Sequence, residues 1–135
     1  MSSKYVRDEF RSSWSIKVPS IPFHETVNDD PDHSNMPDLW ATAEFVAFNE
    51  TPVGLGNPSC RRESGTIIVV LSSKSGEGDS NLNDAAETVR TAYRHWEVTN
   101  LRVTQIDPPL GDDGFSVGMW YIMSIDISYD YDRYI

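Results

Sequence analysis

The length, composition and charge of the chain favour one small acidic globular domain. It has 135 residues, of which 39% are hydrophobic and 24% are charged, as in folded domains and unlike disordered segments. Acidic residues outnumber basic ones by 21 to 11, for a net charge of −10, which argues against a nucleic-acid reader. The single cysteine excludes an intrachain disulfide, and no apolar run approaches the roughly 20 residues of a membrane helix. We therefore expect a soluble protein, kept in a reducing cytoplasm.

The N-terminal part is predicted to form a helix, a short edge strand and a loop. A stripe of apolar residues at four-residue spacing predicts a helix from Tyr5 to Trp14. We expect Ile21 to Val27 to form an edge strand, because Pro22 cannot donate a hydrogen bond to a neighbouring strand. Residues 28–38 contain two prolines, two asparagines and four aspartates, a composition typical of a loop. The helical stripe consists of Val6, Phe10 and Trp14.

Two strands are predicted next, joined by a long connection. Leu39 to Phe48 carries apolar residues on both of its alternating faces, so we expect this strand to be covered on both sides. The stretch "NETPVGLGNPSCRRES" is rich in proline and glycine and is predicted to be irregular. Gly65 to Ser72 contains "TIIVVL", whose density of β-branched residues favours a buried central strand.

The C-terminal half is predicted to hold one long helix and two strands. The polar loop "SSKSGEGDS" leads into a helix that Asp79 or Ser80 can cap. Leu101 to Ile106 is predicted to be a strand, and "DPPLGDDG" a turn. Phe115 to Tyr129 shows clear two-residue alternation and is predicted to be the longest strand, followed by the tail "DYDRYI". The apolar positions of the helix are Leu82, Ala85, Ala86, Val89, Ala92, Tyr93 and Trp96.

This order of elements predicts the α+β class. We expect one domain over residues 1–135, with a mostly antiparallel four- to five-stranded sheet. The N-terminal helix and the longer helix are expected to pack on one face of that sheet.

Four groups of residues are weighed as sites of chemistry, and none predicts an active site. Cys60 lies beside Arg61 and Arg62, which favour a thiolate, but no histidine is near in sequence to serve as a base. The loop "SSKSGEGDS" lacks the order of a phosphate-binding loop and carries Glu77 and Asp79. His95 is interpreted as a group at a helix end. An acidic segment contains possible metal ligands without a known ligand spacing: His24, Glu25, Asp29, Asp30, Asp32, His33 and Asp38. We therefore predict no catalytic residue, no metal and no cofactor.

The pattern "W…AEFVAFNETPVGLG…CRRESGTIIVVLSSKSGEGDSNLNDAAETVRTAYR" resembles the tail-terminator-like, or tail-completion, proteins of bacteriophages with long tails. The features that carry the resemblance are "VPSIPF" at Val18 to Phe23, the strand from Trp40 to Phe48, the helix segment Ala85 to Arg94, and a turn at Asp113 followed by Trp120. The loop at residues 28–38 and the short N-terminal helix depart from the family pattern.

The resemblance implies a structural protein of the virion with no enzymatic activity. Members of the family assemble as a ring, usually a hexamer, on the head-proximal end of the tail tube. The ring ends tube polymerisation and provides a docking surface for the head-completion proteins of the neck. The implied partners are therefore other copies of the chain, the tube protein, a neck protein and DNA that passes through the lumen without specific binding. Assembly would take place in the host cytoplasm.

This interpretation predicts several interface residues, and the two arginines beside Cys60 are among them. Apolar residues on an otherwise polar strand face typically mark an interface, and closed rings bury such patches between identical neighbours. The candidates are Arg61, Arg62, Lys74, Glu77, Asp79, Asp112, Asp113, Trp120 and Ile122. Two alternatives stay open: another neck or head-closure protein with the same small fold, and a small enzyme or ligand- or metal-binding domain that uses Cys60 or the segment from His24 to Asp38.

Overall fold

A computed structural model describes residues 4–23, 39–53, 60–74, 80–109, 116–117 and 120–134. The helices are α1 (Lys4–Lys17) and α2 (Ser80–Tyr93). The strands are β1 (Leu39–Val53), β2 (Cys60–Lys74), β3 (Glu97–Val98), β4 (Leu101–Ile106), β5 (Ser116–Val117) and β6 (Trp120–Tyr134). These elements confirm the predicted α+β class.

One antiparallel sheet contains all of these strands. Its order is β1-β2-β6-β4-β3, and β5 pairs with β6 outside this path. A single parallel bridge joins Phe23 to Ala41 at the outer side of β1, and the N–H of Ala41 donates to the carbonyl of Pro22 at 2.9 Å. The predicted edge strand extends from Ile21 to Val27, and its residues after Phe23 lie outside the described residues. This bridge is therefore the part of the predicted strand that the structure describes.

The three long strands run further than the sequence predicts. After a register shift between Ala47 and Asn49, β1 continues to Val53 and pairs with the first residues of β2. The whole of β2 pairs with β6, from Cys60 opposite Tyr134 to Lys74 opposite Trp120. The prediction of an irregular connection is therefore wrong for residues 49–53 and 60–64, while residues 54–59 lie outside the described residues. The prediction of a tail after Tyr129 is also wrong, because β6 continues to Tyr134. Their polar sequences lack apolar alternation, yet their backbones complete the same hydrogen-bonded ladder.

The predicted strand from Phe115 to Tyr129 is also wrong as a single element. Ser116 pairs with Tyr121 and Val117 with Trp120, so two strands fold back on one another. Only two residues separate these strands, and the first is glycine, a spacing typical of a β-hairpin. The alternating pattern runs through both arms, which makes the hairpin look like one strand in sequence.

The two helices pack on one face of the sheet, as predicted, but each has 14 residues, so the prediction that the second is longer is wrong. The apolar residues Val6, Phe10 and Trp14 of α1 are buried. Alternate residues of β2 and β6 belong to the same hydrophobic core. Trp96 belongs to this core but lies beyond the end of α2, where its N–H donates to the carbonyl of Tyr93 at 3.2 Å. The largest buried side chains of the core include Phe10, Tyr93, Tyr129, Ile67, Leu71, Leu101, Ile125 and Ile127. Burial of this much apolar surface is the main stabilising term of the fold.

On the second face of the sheet, opposite the helices, β1 is buried only near its start. Trp40 and Thr42 are buried there, but Glu44 and Val46 are exposed further along the same face. The prediction that β1 is covered on both sides is therefore confirmed for its first residues and is wrong from Glu44 onward.

Candidate subunit interface

The outer edge of β1 is the most exposed apolar part of the sheet. β1 ends the strand order, and the bridge from Phe23 to Ala41 lies on its outer side. Val46 is 37% exposed and Phe48 is 67% exposed. Neighbouring exposed apolar side chains readily pack against another protein. This edge can therefore bind a protein partner.

Two arginines of α1 flank the same edge. The guanidinium carbons of Arg7 and Arg11 each lie 5.8 Å from the centre of the Phe45 ring, which β1 turns toward the helices. Cations attract the faces of aromatic rings, and these contacts hold both arginines beside β1. Among the residues that the structure describes, Arg7 forms no ion pair. Two cationic side chains therefore lie on the helix-covered side of β1.

An open groove of about 350 Å³ lies beside Arg11. Arg11, Trp14, Val18, Ile21 and Phe23 are among its lining residues. The indole N–H of Trp14 donates to the carbonyl of Ile21 at 2.7 Å, which fixes the turn after α1 against the helix. The described residues that line the groove do not combine an acid, a base and a nucleophile, and their largely apolar side chains suit contact with another side chain.

The predicted residue Arg62 is held inside the subunit by an ion-pair network. Its Nε donates to Asp132 at 2.8 Å and its Nη2 to the second carboxylate oxygen at 3.3 Å. Arg102 reaches Asp132 at 3.3 Å and Asp130 at 3.6 Å, and the Ser64 hydroxyl donates to Asp130 at 2.7 Å. The network ties β2, β6 and β4 together across the second face.

Hydrogen bonds within this network shift two pKa values. The bond from Arg62 and the positive charges beside it lower the pKa of Asp132 below the usual range of an aspartate. The same bond raises the pKa of Arg62. Both groups therefore stay charged at neutral pH and neutralise each other, which leaves little net charge at this end of the sheet.

A second polar pair at the same end is buried on the helix-covered face. The Tyr129 hydroxyl donates to Oε2 of Glu63 at 2.7 Å, and Glu63 is 6% exposed. Gly65 makes room for this pair, because a Cβ at that position would lie 2.7 Å from the Tyr129 hydroxyl oxygen. Sequence reasoning missed this pair, since its members are far apart in the chain and pair only through the β2–β6 register.

The structure does not bring the other predicted interface residues into one cluster. Lys74 and Trp120 are register partners at the far end of β2 and β6, about 40 Å along the sheet from Arg62 at roughly 3.3 Å per residue. Ile122 is half-buried on the second face, opposite Ser72. Arg61 is half-buried opposite Arg133. Four further residues, Glu77, Asp79, Asp112 and Asp113, lie outside the described residues.

The residues weighed for chemistry remain apart from one another. Cys60 is half-buried at the start of β2, and His95 is exposed in the turn after α2. No group of three or more metal-binding side chains occurs in the described part of the chain, and the segment from His24 to Asp38 lies outside it. None of the described helices is long and apolar enough to cross a membrane.

Comparison with known proteins adds no relative. No protein-family model matches the chain, and no characterised protein matches it significantly.

Proposed function

We propose that this chain is a structural protein of a long-tailed bacteriophage that forms a ring at the head-proximal end of the tail tube. The ring ends tube polymerisation and offers a docking surface to the neck, and DNA passes through its lumen. In this proposal the chain acts without catalysis, as part of the virion at the head–tail junction. Its partners are other copies of itself, the tube protein and a head-completion protein.

The observation that carries the proposal is the exposed apolar edge of β1. Val46 is 37% exposed and Phe48 is 67% exposed on β1, the strand at one end of the sheet order. Neighbouring exposed apolar side chains of this size typically mark a contact surface. In a closed ring each subunit buries this kind of surface against its neighbour.

Two further observations support a structural role. The α+β fold agrees with the one that the family resemblance implies, and the described polar networks connect strands instead of surrounding a substrate cavity. The net charge of −10 also suits a lumen for DNA, because a negative surface does not retain a phosphate backbone. Such a lumen lets DNA pass and does not read its sequence.

The proposal is tested with purified protein and purified tail tubes. Electron microscopy is expected to show rings on one end of each tube, and sizing of the ring is expected to give a mass far above the 15.3 kDa of one chain. Binding to isolated heads with no binding to tubes would favour the alternative of a head-closure protein and contradict the terminator proposal.

A further inference from the structure

Two arginines face each other at the end of the sheet where β2 begins and β6 ends. Arg61 of β2 and Arg133 of β6 are register partners, so their side chains leave the same face of the sheet with Cβ atoms about 5 Å apart. Tyr131, two residues before Arg133, stacks on Tyr5 of α1, which identifies this as the helix-covered face. Like charges directly opposite each other on neighbouring strands destabilise the pairing. An acidic group beside the two arginines would relieve this repulsion.

Acidic side chains of the same subunit balance these arginines only in part. Oε1 of Glu50 lies 3.9 Å from Nη1 of Arg133, and both side chains are close to half exposed, so this ion pair contributes little. Arg61 forms no ion pair in the described part of the chain. The buried Glu63 accepts a hydrogen bond from Tyr129, which lies on the side of Glu63 away from Arg61. The repulsion between the two arginines is therefore not removed within the subunit.

The arginines of the opposite face show the contrast. Arg62 and Arg102 contact two aspartates there at 2.8 to 3.6 Å, so that network is neutral. Arg61 is the neighbour of Arg62 in sequence, but alternate residues of a strand point to opposite faces, and the network does not reach it. Acidic residues outnumber basic ones by 21 to 11 in this chain, which makes an arginine without an acidic partner an exception that asks for an explanation.

The two arginines also lie close to the exposed apolar side chains of β1. Arg61 pairs with Pro52 of β1, four residues beyond Phe48, which is roughly 13 Å along a strand. Arg61 is half-buried and Arg133 is exposed, so both are open to contact from outside. A protein that packs on Phe48 is therefore close enough to place a side chain beside both guanidinium groups.

We propose that Arg61 and Arg133 bind an acidic side chain of a neighbouring copy of this chain. A guanidinium presents a planar fork of N–H donors that matches a carboxylate, and a carboxylate between two guanidinium groups removes the repulsion between them. The phosphate backbone of DNA is a poorer occupant, because its many charges would meet a subunit with a net charge of −10. This inference rests on the proposed ring and names the chemistry of one contact within it.

Carbodiimide coupling of the Arg61→Lys variant tests the contact. The substitution keeps the positive charge and supplies an amine, which the reagent joins through an amide bond to a carboxylate that touches it. Isotope-labelled and unlabelled copies of the variant are mixed, assembled and coupled, and the linked peptides are identified by mass spectrometry. We expect the introduced amine to be linked to an acidic residue of another copy, in pairs that combine labelled and unlabelled peptides. Arg94→Lys, the same change at an exposed position after α2, is the matched control and is expected to give no such pairs.

Removal of the charge gives an independent measurement. Self-association is measured by sedimentation velocity for the wild type, Arg61→Gln and Arg94→Gln. The first variant leaves the partner carboxylate with one cation fewer, so association is expected to weaken at least about tenfold. The second variant makes the same charge change away from the contact and is expected to associate like the wild type. Circular dichroism checks that both variants fold.

Four results would overturn the inference: a wild-type chain that stays monomeric at every concentration, links that join the introduced amine only to its own copy, normal association of Arg61→Gln, or binding of an oligonucleotide that Arg61→Gln abolishes. The last result would show that the site takes phosphate. If rings cap tubes while Arg61→Gln has no effect, this contact is wrong and the proposed function stands. If the links between copies form but the rings ignore tubes, the proposed function is wrong and the contact stands.

Discussion

At the scale of single residues, a few polar pairs fix the end of the sheet where the sequence is least apolar. The network from Arg62 through Asp132 and Arg102 to Asp130 spans three strands, and the Glu63–Tyr129 pair lies buried on the opposite face. Buried and half-buried polar groups stabilise a fold only while their partners are present. Both pairs are therefore expected to respond to loss of one member.

Replacement of Asp132 by asparagine is expected to lower the free energy of unfolding by about 1 kcal/mol at neutral pH, a modest value because the pair is partly solvent-exposed. The pKa of Asp132 is lowered in the folded state, so its stabilisation is present above the unfolded pKa and is lost as the pH falls through the folded one. Urea unfolding at neutral and acidic pH measures this difference. Asp8→Asn, which breaks the exposed pair with Lys4, is the control and should have a much smaller effect. A loss that persists at low pH would contradict the ion-pair explanation.

Tyr129→Phe removes the hydroxyl that donates to the buried Glu63 carboxylate. A buried carboxylate that loses a donor is costly, and we expect a loss of about 1–3 kcal/mol in the free energy of unfolding. Thermal or chemical denaturation measures the loss. Tyr131→Phe is the matched control, because the half-buried Tyr131 ring stacks on Tyr5 at a centroid distance of 4.9 Å and keeps that contact without its hydroxyl. Equal losses in the two variants would show that the Glu63 hydrogen bond has no special weight.

At the scale of elements, an aromatic cluster joins the two helices above the sheet. The Phe10 ring stacks on Tyr93 at 5.0 Å and contacts Phe45 edge-on at 5.7 Å. The hydroxyls of Ser13 and Tyr93 are 2.7 Å apart and share a hydrogen bond. Aromatic contacts of this kind stabilise beyond the area they bury. The cluster holds α1 against β1 and so places Arg7 and Arg11 at the exposed edge.

Burial raises the pKa of Tyr93 to about 12, with the bond to Ser13 acting in the opposite direction. The unfolded chain therefore loses this proton near pH 10, while the folded chain keeps it. As the pH rises from about 10 to about 12, the free energy of unfolding is expected to fall by up to about 3 kcal/mol from this residue. Denaturant titrations over that range in the wild type and in Tyr93→Phe measure the contribution. The fall should be smaller in the variant, and an unchanged fall would assign it to other groups.

The predictability of each element follows from the range of the interactions that form it. The stripe of α1, the apolar positions of α2 and the bounds of β4 are readable from sequence, because local periodicity records which side faces the core. The end of β1, the start of β2 and the end of β6 are not readable, since their polar residues are ordered by partners far away in the chain. The sequence does not predict the β5–β6 hairpin, because the alternation of apolar and polar residues continues across the two residues between the strands.

The candidate interface could be predicted only in part, because local patterns identify a strand but not its place in the sheet. The exposed side chains of Val46 and Phe48 lie in a strand that the sequence predicts, but only the strand order shows that this strand is at an edge. The sequence predicts Arg62 as an interface residue, whereas the fold places it beside Asp132. The position of Arg7 and Arg11 beside Phe45 could not be predicted from the sequence, because it depends on how α1 packs across the sheet.

At the scale of the whole molecule, an acidic domain exposes apolar side chains on the strand at one end of its sheet. Its net charge is −10, and Val46 and Phe48 of β1 are 37% and 67% exposed. In the proposed ring each subunit would bury such a surface against a neighbour, because a closed ring repeats one contact between identical subunits.

The central claim is that this chain stops growth of the tail tube, and tail length in phage particles made without it tests that claim most directly. Electron micrographs of such lysates are expected to show tails longer than normal and unattached to heads, with normal tails restored when the chain is supplied from a plasmid. Tails of normal length that join heads in the absence of the chain would contradict the account.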